Sequence, residues 1–309
     1  MEVNEVQLLE KTIQRYISPD AGVISIESKS IGMGFQAVDL LRHRVKLHVN
    51  GEETCVSFVT KKATYIERST LSLLYSQAAN VPYSLSIDSH AAGRSLLCIQ
   101  DVDDQTDYGN LDIPSLQMKE MQALAHIHRT NMGNQTALPW LSRVDQAHIS
   151  KMLNERWRPS WEAAKENKAF IEEYGVHLIA EIEDAAHHIV HDIGVVIQDE
   201  STYTLIHNDL NPGNVLVHHN EDVYFIDWEE ARYGSLFFDI PLRCSSLKLA
   251  NEYRDQLGIE IPQSRYEPLF SIASRYLGLR YMSWNLGAWQ HNQQAKDDLK
   301  RYIEMVVSP

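Results

Sequence analysis

Three polar side chains frame a short predicted hairpin and could together hold a metal ion beside a general base. Two apolar runs, 215–217 and 223–226, are separated by a polar stretch, a pattern that predicts two strands joined by a turn. Asp209 and Asn214 precede the first run, and Asp227 follows the second. Because a hairpin returns to its starting edge, these side chains should converge there. Their oxygens suit Mg²⁺, which prefers hard oxygen ligands shared with substrate phosphates.

The same segment carries three motifs in a fixed order. The string H-x-D-x-x-x-x-N begins at His207, I-D-W-E follows at 226–229, and F-D-I follows at 238–240. Together they resemble the aminoglycoside phosphotransferase and choline kinase family, whose members are similar to protein kinases in fold but phosphorylate small molecules. The protein-kinase strings H-R-D, D-F-G and A-P-E do not occur in the chain. The resemblance is specific over about residues 203–243 and weaker elsewhere.

The resemblance implies an α+β fold of the bilobal protein-kinase type, with a small β-rich N-terminal lobe and a larger, mostly helical C-terminal lobe. A buried strand predicted at 95–100 runs into an acidic stretch that is similar to the family's hinge. We therefore predict a nucleotide-binding lobe at 1–101 and a catalytic and acceptor-binding lobe at 102–309. Backbone groups near Gln100 and Val102 would hydrogen-bond the adenine. The acidic stretch can also be a solvated linker.

The N-terminal region shows three strand-like runs, at 23–26, 37–49 and 53–60. Gly32 and Gly34 lie between the first two. A glycine pair at that point would let the backbone of a hairpin lie close over phosphates and donate N–H groups to them. A plain β-turn is the alternative interpretation.

The third run leads into two lysines, followed by a helix predicted from Tyr65 to Tyr75. In kinase-like folds a lysine at this point contacts the α- and β-phosphates and pairs with a glutamate on the next helix. Glu67 is the acidic residue that this helix offers. Lys61 is preferred to Lys62 because relatives resembling this stretch tend to read lysine, polar residue, alanine. Strand alternation does not decide between the two lysines.

The resemblance also implies a role for each motif residue. Asp209 would accept or orient the proton of an acceptor hydroxyl, while Asn214 and Asp227 would hold Mg²⁺ against the nucleotide phosphates. His207 would brace the loop by hydrogen bonding, and Asp239 would be a structural aspartate tied to the same loop. The implied reaction transfers the γ-phosphoryl group of ATP, or GTP, to a hydroxyl of a small molecule.

Composition narrows the class of partner. The formal charge of −14 argues against binding to nucleic acid or anionic membranes and suits a cationic acceptor, although many cytosolic proteins are simply acidic. The chain contains no apolar run long enough to span a bilayer, and its N-terminal residues do not resemble a signal peptide. Three widely spaced cysteines predict free thiols in a reducing compartment. We expect a cytoplasmic protein, and its oligomeric state is not encoded in any pattern.

The acceptor is the least constrained part of this interpretation. An aminoglycoside-type antibiotic is favoured, with choline, another amino alcohol, a sugar or a homoserine-like hydroxyl also compatible with the motifs. Trp284 and Trp289 are available to surround a cation. Glu229 could line the acceptor or metal site, or lie exposed. Two other function classes use the same residues: a metal-dependent phosphoester hydrolase and a non-catalytic nucleotide-binding module of pseudokinase type.

Overall fold

The structure is a computed structural model that describes residues 3–31, 40–88, 91–244 and 246–308. The chain forms two compact units. The first combines Met1–Thr130 with Asp209–Ala231, and the second combines Asn131–Asn208 with Arg232–Pro309. The segment Asp209–Ala231, which contains the predicted hairpin, thus packs with the N-terminal segment. The predicted division at residue 102 separates a nucleotide-binding lobe from an acceptor-binding lobe. Because it is defined by ligand binding, it stays a prediction.

The helices and strands are numbered in chain order. The helices are α1 (Val3–Tyr16), α2 (Tyr65–Ser76), α3 (Ile113–Asn131), α4 (Gln146–Met152), α5 (Arg158–Lys165), α6 (Lys168–Gln198), α7 (Ile240–Arg243), α8 (Leu247–Leu257), α9 (Gln263–Ala288) and α10 (Gln293–Val307). The strands are β1 (Gly22–Ser30), β2 (Leu41–Val49), β3 (Glu52–Ala63), β4 (Ser84–Ser86), β5 (Ser95–Gln100), β6 (Tyr203–Ile206), β7 (Val215–His218), β8 (Asp222–Phe225) and β9 (Arg232–Ser235).

The first unit is built on an antiparallel sheet of five strands in the order β1-β2-β3-β5-β4. Side chains alternate between the two faces of each strand, so Val45 and Leu47 point to the same side and are buried. They form one core with Phe58 on β3 and with Leu9 and Ile13 on α1. This core fixes β3, the strand that carries the two candidate lysines.

The second unit is mainly helical, with the short antiparallel pair β6–β9 beside the helices. Helix α9 packs against both α6 and α10. At Gly278 the α10 backbone comes so close that an added Cβ would lie 2.7 Å from the carbonyl oxygen of Tyr302. Only a residue without a side chain lets the two helices approach this closely. Among the described helices, none is both long enough and apolar enough to cross a bilayer.

Two helical segments of the second unit have irregular backbone. A π-helical turn, Leu153–Trp157, lies between α4 and α5. Gly175 has φ +77° and kinks α6. The run predicted at 37–49 begins as a strand at Leu41, and its first residues, with Gly32 and Gly34, lie outside the described residues.

Candidate active site

The predicted hairpin is present as the antiparallel pair β7–β8, with Val215 opposite Phe225. At its open end the backbone N–H of Ile226 donates to the carbonyl of Asn214 at 3.0 Å. This bond places Asn214 directly beside the residue that precedes Asp227. The hairpin therefore brings Asn214 and Asp227 to the same end, as the pattern of apolar runs and the position of the turn predict.

The backbone at Asp227 adopts a conformation that most residues avoid. Its φ of 63° and ψ of 57° are left-handed, which costs a non-glycine residue about 1 kcal/mol or more. A short 3₁₀ turn, Trp228–Glu230, starts from it. Trp228 is buried and its indole N–H donates to the carbonyl of Phe225 at 3.1 Å, so packing holds the bend in place. Strain of this kind is found preferentially at functional sites.

Lys61 lies between two carboxylates. Its Nζ is 2.7 Å from Oε1 of Glu67 and 2.7 Å from Oδ1 of Asp227. Glu67 occupies the first turn of α2, where its backbone N–H donates to the capping hydroxyl of Thr64. Lys62, the rejected alternative, has an exposed side chain. The structure thus brings Lys61 to the helix glutamate and to the residue at the end of the hairpin.

The electrostatics of this cluster keep the ammonium of Lys61 charged. Burial lowers the pKa of Lys61, but the charges of Glu67 and Asp227 outweigh that effect and raise the pKa above its usual value. Burial raises the pKa of the fully buried Glu67 to about 7, with Lys61 opposing the shift. Near neutral pH the ammonium is therefore retained and paired, and it is available to an anionic group such as a phosphate.

The oxygen atoms around Asp227 suit a hard divalent cation. One carboxylate oxygen from each of Glu67, Asp227 and Glu229 lies within 4.8 Å of the other two. Glu229 is held by an ion pair with Arg94. Asn214 donates its Nδ2 to the carbonyl of Asp209 at 2.7 Å, so its amide oxygen is the atom that could ligate a metal. An all-oxygen set of carboxylates and an amide is the chemistry that Mg²⁺ selects.

The loop that carries Asp209 is anchored on both sides of this residue. In the second unit the backbone N–H groups of His207 and Asn208 donate to the two oxygens of Asp239, at 2.7 and 2.8 Å. In the first unit the carbonyl of Asp209 accepts from Asn214. His207 and Asp239 are fully buried, and a buried carboxylate is tolerated because those N–H groups replace its hydration. Asp209 itself is partly exposed.

The predicted hinge is tied to neighbouring strands through its backbone. The N–H of Gln100 donates to the carbonyl of Tyr83 at 3.0 Å. The carbonyl of Val102 accepts from Nδ1 of His218, at the end of β7, at 2.7 Å. An adenine contact at this segment would therefore use the other groups, the Gln100 carbonyl and the Val102 N–H.

Asp101, at the start of the acidic stretch, is buried and paired with Arg42, whose Nε lies 2.7 Å from Oδ2. The hydroxyl of Ser57 also donates to this carboxylate, at 2.6 Å. Burial raises the pKa of Asp101, and these partners oppose the shift. The stretch thus begins as a packed element of the first unit.

Two contributors to the site were not predicted. Arg94 holds Glu229 and also donates to the carbonyl of Lys62 at 3.0 Å. His218 holds the hinge carbonyl. The contacts of Arg94 with Glu229 and of His218 with Val102 join residues more than a hundred positions apart, and no local spacing in the sequence encodes them.

The two tryptophans proposed for a cation lie in different environments. Trp289 is 8% exposed and packs edge-on against Phe170 and Tyr174 with ring centroids 5.8 Å apart, so it belongs to the core of the second unit. Trp284 is 51% exposed. Of this pair, Trp284 is the one accessible to a ligand.

Comparison with known proteins identifies both family and fold. The profile of the phosphotransferase enzyme family matches residues 61–260. A spectinomycin phosphotransferase solved with ADP and spectinomycin superposes with a TM-score of 0.62 at 14% identity, covering 98% of this chain and 97% of the other. An aminoglycoside phosphotransferase from Alicyclobacillus acidocaldarius gives 0.58 at 15% identity, covering 90% and 87%. The choline kinase LicA from Streptococcus pneumoniae gives 0.53 at 14% identity, covering 99% of both chains.

No curated protein sequence matches this chain closely enough to count as a relative. The structural likenesses, all at low identity, confirm the predicted α+β fold of the protein-kinase type. The profile match confirms the predicted family.

Proposed function

The chain belongs to the phosphotransferase enzyme family, and on that premise we propose that it transfers the γ-phosphoryl group of ATP, or of GTP, to a hydroxyl of a small molecule. The observation that carries this proposal is the position of Lys61, 2.7 Å from both Glu67 and Asp227, beside the open end of a hairpin that carries Asn214. A cation paired with a metal-binding carboxylate suits the phosphates of a magnesium nucleotide.

Asp209 would accept or orient the proton of the acceptor hydroxyl. Phosphoryl transfer passes through a loose transition state, so such a base contributes mainly by positioning the nucleophile. The backbone bonds on either side of Asp209, to Asp239 through Asn208 and to Asn214, support this role because they fix the loop. His207 and Asp239 would act as structural supports and make no contact with the reacting atoms.

Asn214 and Asp227 would hold Mg²⁺, with Glu229 within reach of the same position. The bound ion would neutralise charge on the phosphates. Lys61 would grip the α- and β-phosphates while Glu67 keeps it charged and oriented. Gln100 and Val102 would contact the base, and Gly32 with Gly34 would cover the phosphates.

For the acceptor, an aminoglycoside-type compound has the support of the chain's charge of −14 and of the fold neighbour solved with spectinomycin. Choline or another amino alcohol is the second candidate, supported by the choline kinase neighbour and by the exposed ring of Trp284. Apart from these neighbours, the aminoglycoside candidate is supported by the overall charge, and the amino-alcohol candidate is supported by one aromatic side chain. We propose a cytoplasmic enzyme that binds neither nucleic acid nor membrane.

The test is transfer of labelled phosphate from γ-labelled ATP or GTP to a panel of aminoglycosides, amino alcohols and sugars. Asp209→Ala should lower turnover by about a thousandfold or more while nucleotide affinity stays within a few-fold. Asp222→Ala, at the exposed far end of the same hairpin, is the matched control and should remain active. Near-normal turnover in Asp209→Ala would remove the assignment.

The same experiment separates the other function classes. A phosphoester hydrolase would release phosphate from ester substrates without a nucleotide. A non-catalytic module would bind nucleotide without transfer to any acceptor.

A further inference from the structure

Arg94 connects two segments of the first unit that carry the groups proposed to bind phosphate and metal. It lies immediately before β5. Its Nη1 donates to the carbonyl of Lys62 on β3 at 3.0 Å, and its Nη2 forms an ion pair with Oε1 of Glu229. One terminal nitrogen thus contacts the strand of the phosphate-binding lysine, and the other contacts the turn that follows Asp227. Arg94 has no role in the phosphoryl transfer proposed above.

The segment that carries Arg94 is itself fixed to the end of β3 and to α2. Arg68, a buried residue of α2, donates to three backbone carbonyls, those of Ala63, Ala91 and Gly93. Two of these carbonyls precede Arg94 by one and by three residues, and the third ends β3. The guanidinium of Arg94 therefore extends from a backbone that is held in place, as a residue that positions another side chain requires.

The turn that Arg94 contacts carries two of the three clustered carboxylates. Glu229 lies on the 3₁₀ turn that begins at Asp227, and this turn packs against α2. One oxygen of Glu229 lies within 4.8 Å of an oxygen of Asp227 and of an oxygen of Glu67. Arg94 occupies Oε1, and a carboxylate has a second oxygen with which to face a cation. The ion pair thus restricts the direction of a side chain that could otherwise rotate toward solvent.

We propose that Arg94 is a positioning residue that orients Glu229 toward the divalent cation of the bound nucleotide and so sets the affinity of the site for that metal. This rests on the proposed function, because the metal is the one that accompanies the nucleotide. A guanidinium suits the task since its planar fork spans two acceptors in a fixed geometry, which a flexible ammonium does not.

A positive charge near the metal also repels it, so the two effects must be compared. The side chains of Arg94 and Glu229 are 38% and 21% exposed, and solvent screens their charges. The charge of such a partly exposed pair accounts for about fivefold in affinity at most. Residues that orient metal ligands typically change metal affinity by about 10- to 100-fold. Orientation is therefore the larger effect, and removal of Arg94 should weaken metal binding.

The direct experiment measures Mn²⁺ binding in the presence of ADP through the relaxation of water protons, with Mn²⁺ in place of Mg²⁺. Arg94→Gln should raise the dissociation constant of Mn²⁺ by about tenfold. Lys119→Gln is the matched control, because Lys119 also contacts one carbonyl and one carboxylate, those of Glu221 and Asp222, at the far end of the β7–β8 hairpin. It should bind Mn²⁺ as the wild type does. Equal affinities in the wild type and in Arg94→Gln would overturn the proposal.

A conservative variant separates the fork from its charge. Arg94→Lys keeps the positive charge but cannot span both acceptors in the same geometry, so it should bind Mn²⁺ about as weakly as Arg94→Gln. Wild-type affinity in Arg94→Lys would show that the charge alone is sufficient, and it would contradict the orienting role.

Action through Glu229 predicts that two substitutions are not additive. In Glu229→Gln the metal has already lost the charged oxygen that Arg94 orients. Adding Arg94→Gln to that variant should change the Mn²⁺ affinity by less than about twofold. Losses that simply add would show that Arg94 does not act through Glu229.

The dependence of turnover on Mg²⁺ separates positioning from a general structural role. Arg94→Gln should need about tenfold more Mg²⁺ for half-maximal turnover and should approach the wild-type kcat at saturating Mg²⁺. Excess metal compensates for a weakened ligand but not for a misfolded site. A kcat that stays low at every Mg²⁺ concentration would argue against the positioning role.

The two proposals fail separately. Mn²⁺ binding that depends on Arg94, without transfer of phosphate to any acceptor, would keep the positioning role and remove the proposed function. Phosphate transfer by the wild type, with an unchanged Mn²⁺ affinity in Arg94→Gln, would keep the proposed function and remove the positioning role.

Discussion

Burial shifts pKa values in opposite directions in the two units of this protein. In the first unit burial raises the pKa of Glu67 and the adjacent Lys61 opposes the shift, which leaves a value of about 7. In the second unit burial and the charges of the neighbouring arginines act together and lower the pKa of His148 to about 3. Burial disfavours the charged form in both, but the sign of the neighbouring charges decides whether they oppose that effect or add to it.

The largest expected effect concerns the cation of the cluster around Lys61. Lys61→Met should lower kcat/KM for nucleotide by about a hundredfold or more, because the phosphates lose their fixed positive partner. Lys62→Met is the matched control, since its side chain is exposed and its backbone contact with Arg94 is retained. Steady-state kinetics on both variants decides between the two lysines. Equal losses in the two would refute the assignment to Lys61.

The second effect concerns stability of the same cluster. Glu67→Gln should lower the free energy of unfolding by about 2 kcal/mol, less than loss of an isolated buried partner, since Lys61 keeps Asp227. Denaturant unfolding measures the change. Glu53→Gln removes an exposed pair with Lys46 and should leave the transition where it is. A Glu67→Gln protein as stable as the wild type would show that the buried pair does not hold α2 against β3.

The last effect concerns His148 of the second unit and the pH dependence of stability. Because the folded-state pKa of His148 is depressed, its contribution to stability is present above pH 6.5 and is lost as the pH falls toward 3. His148→Gln should remove up to about 1.4 kcal/mol per pH unit of that acid sensitivity. Unfolding at several pH values between 7 and 4 gives the difference between the two proteins.

The control for that measurement is His177→Gln, at an exposed position of the same unit. Its profile should follow the wild type. Parallel profiles for His148→Gln and the wild type would contradict the neutral, buried state of His148.

Much of the fold follows from local patterns. The hairpin, the strand β5 and the helix α2 were predicted within a residue or two because alternation, turn residues and capping act over short distances. Gly175 and the π-helical turn at Leu153–Trp157 were not predicted, since both arise where packing overrides a continuous helical pattern.

The candidate site also contains features that local sequence predicts and features that it does not. The order of Asp209, Asn214 and Asp227 along one hairpin indicates that they converge, so local sequence was enough. The contacts of Arg94 with Glu229 and of His218 with Val102 depend on the packing of distant segments.

A magnesium nucleotide bound at the end of the hairpin is the central element of the proposed function. Calorimetric titration of ATP, with and without Mg²⁺, into the wild type and into Asp227→Asn tests this directly. We predict that Mg²⁺ strengthens ATP binding to the wild type and has little effect on the variant, while ATP without metal binds both similarly. The same magnesium enhancement in Asp227→Asn would contradict the account.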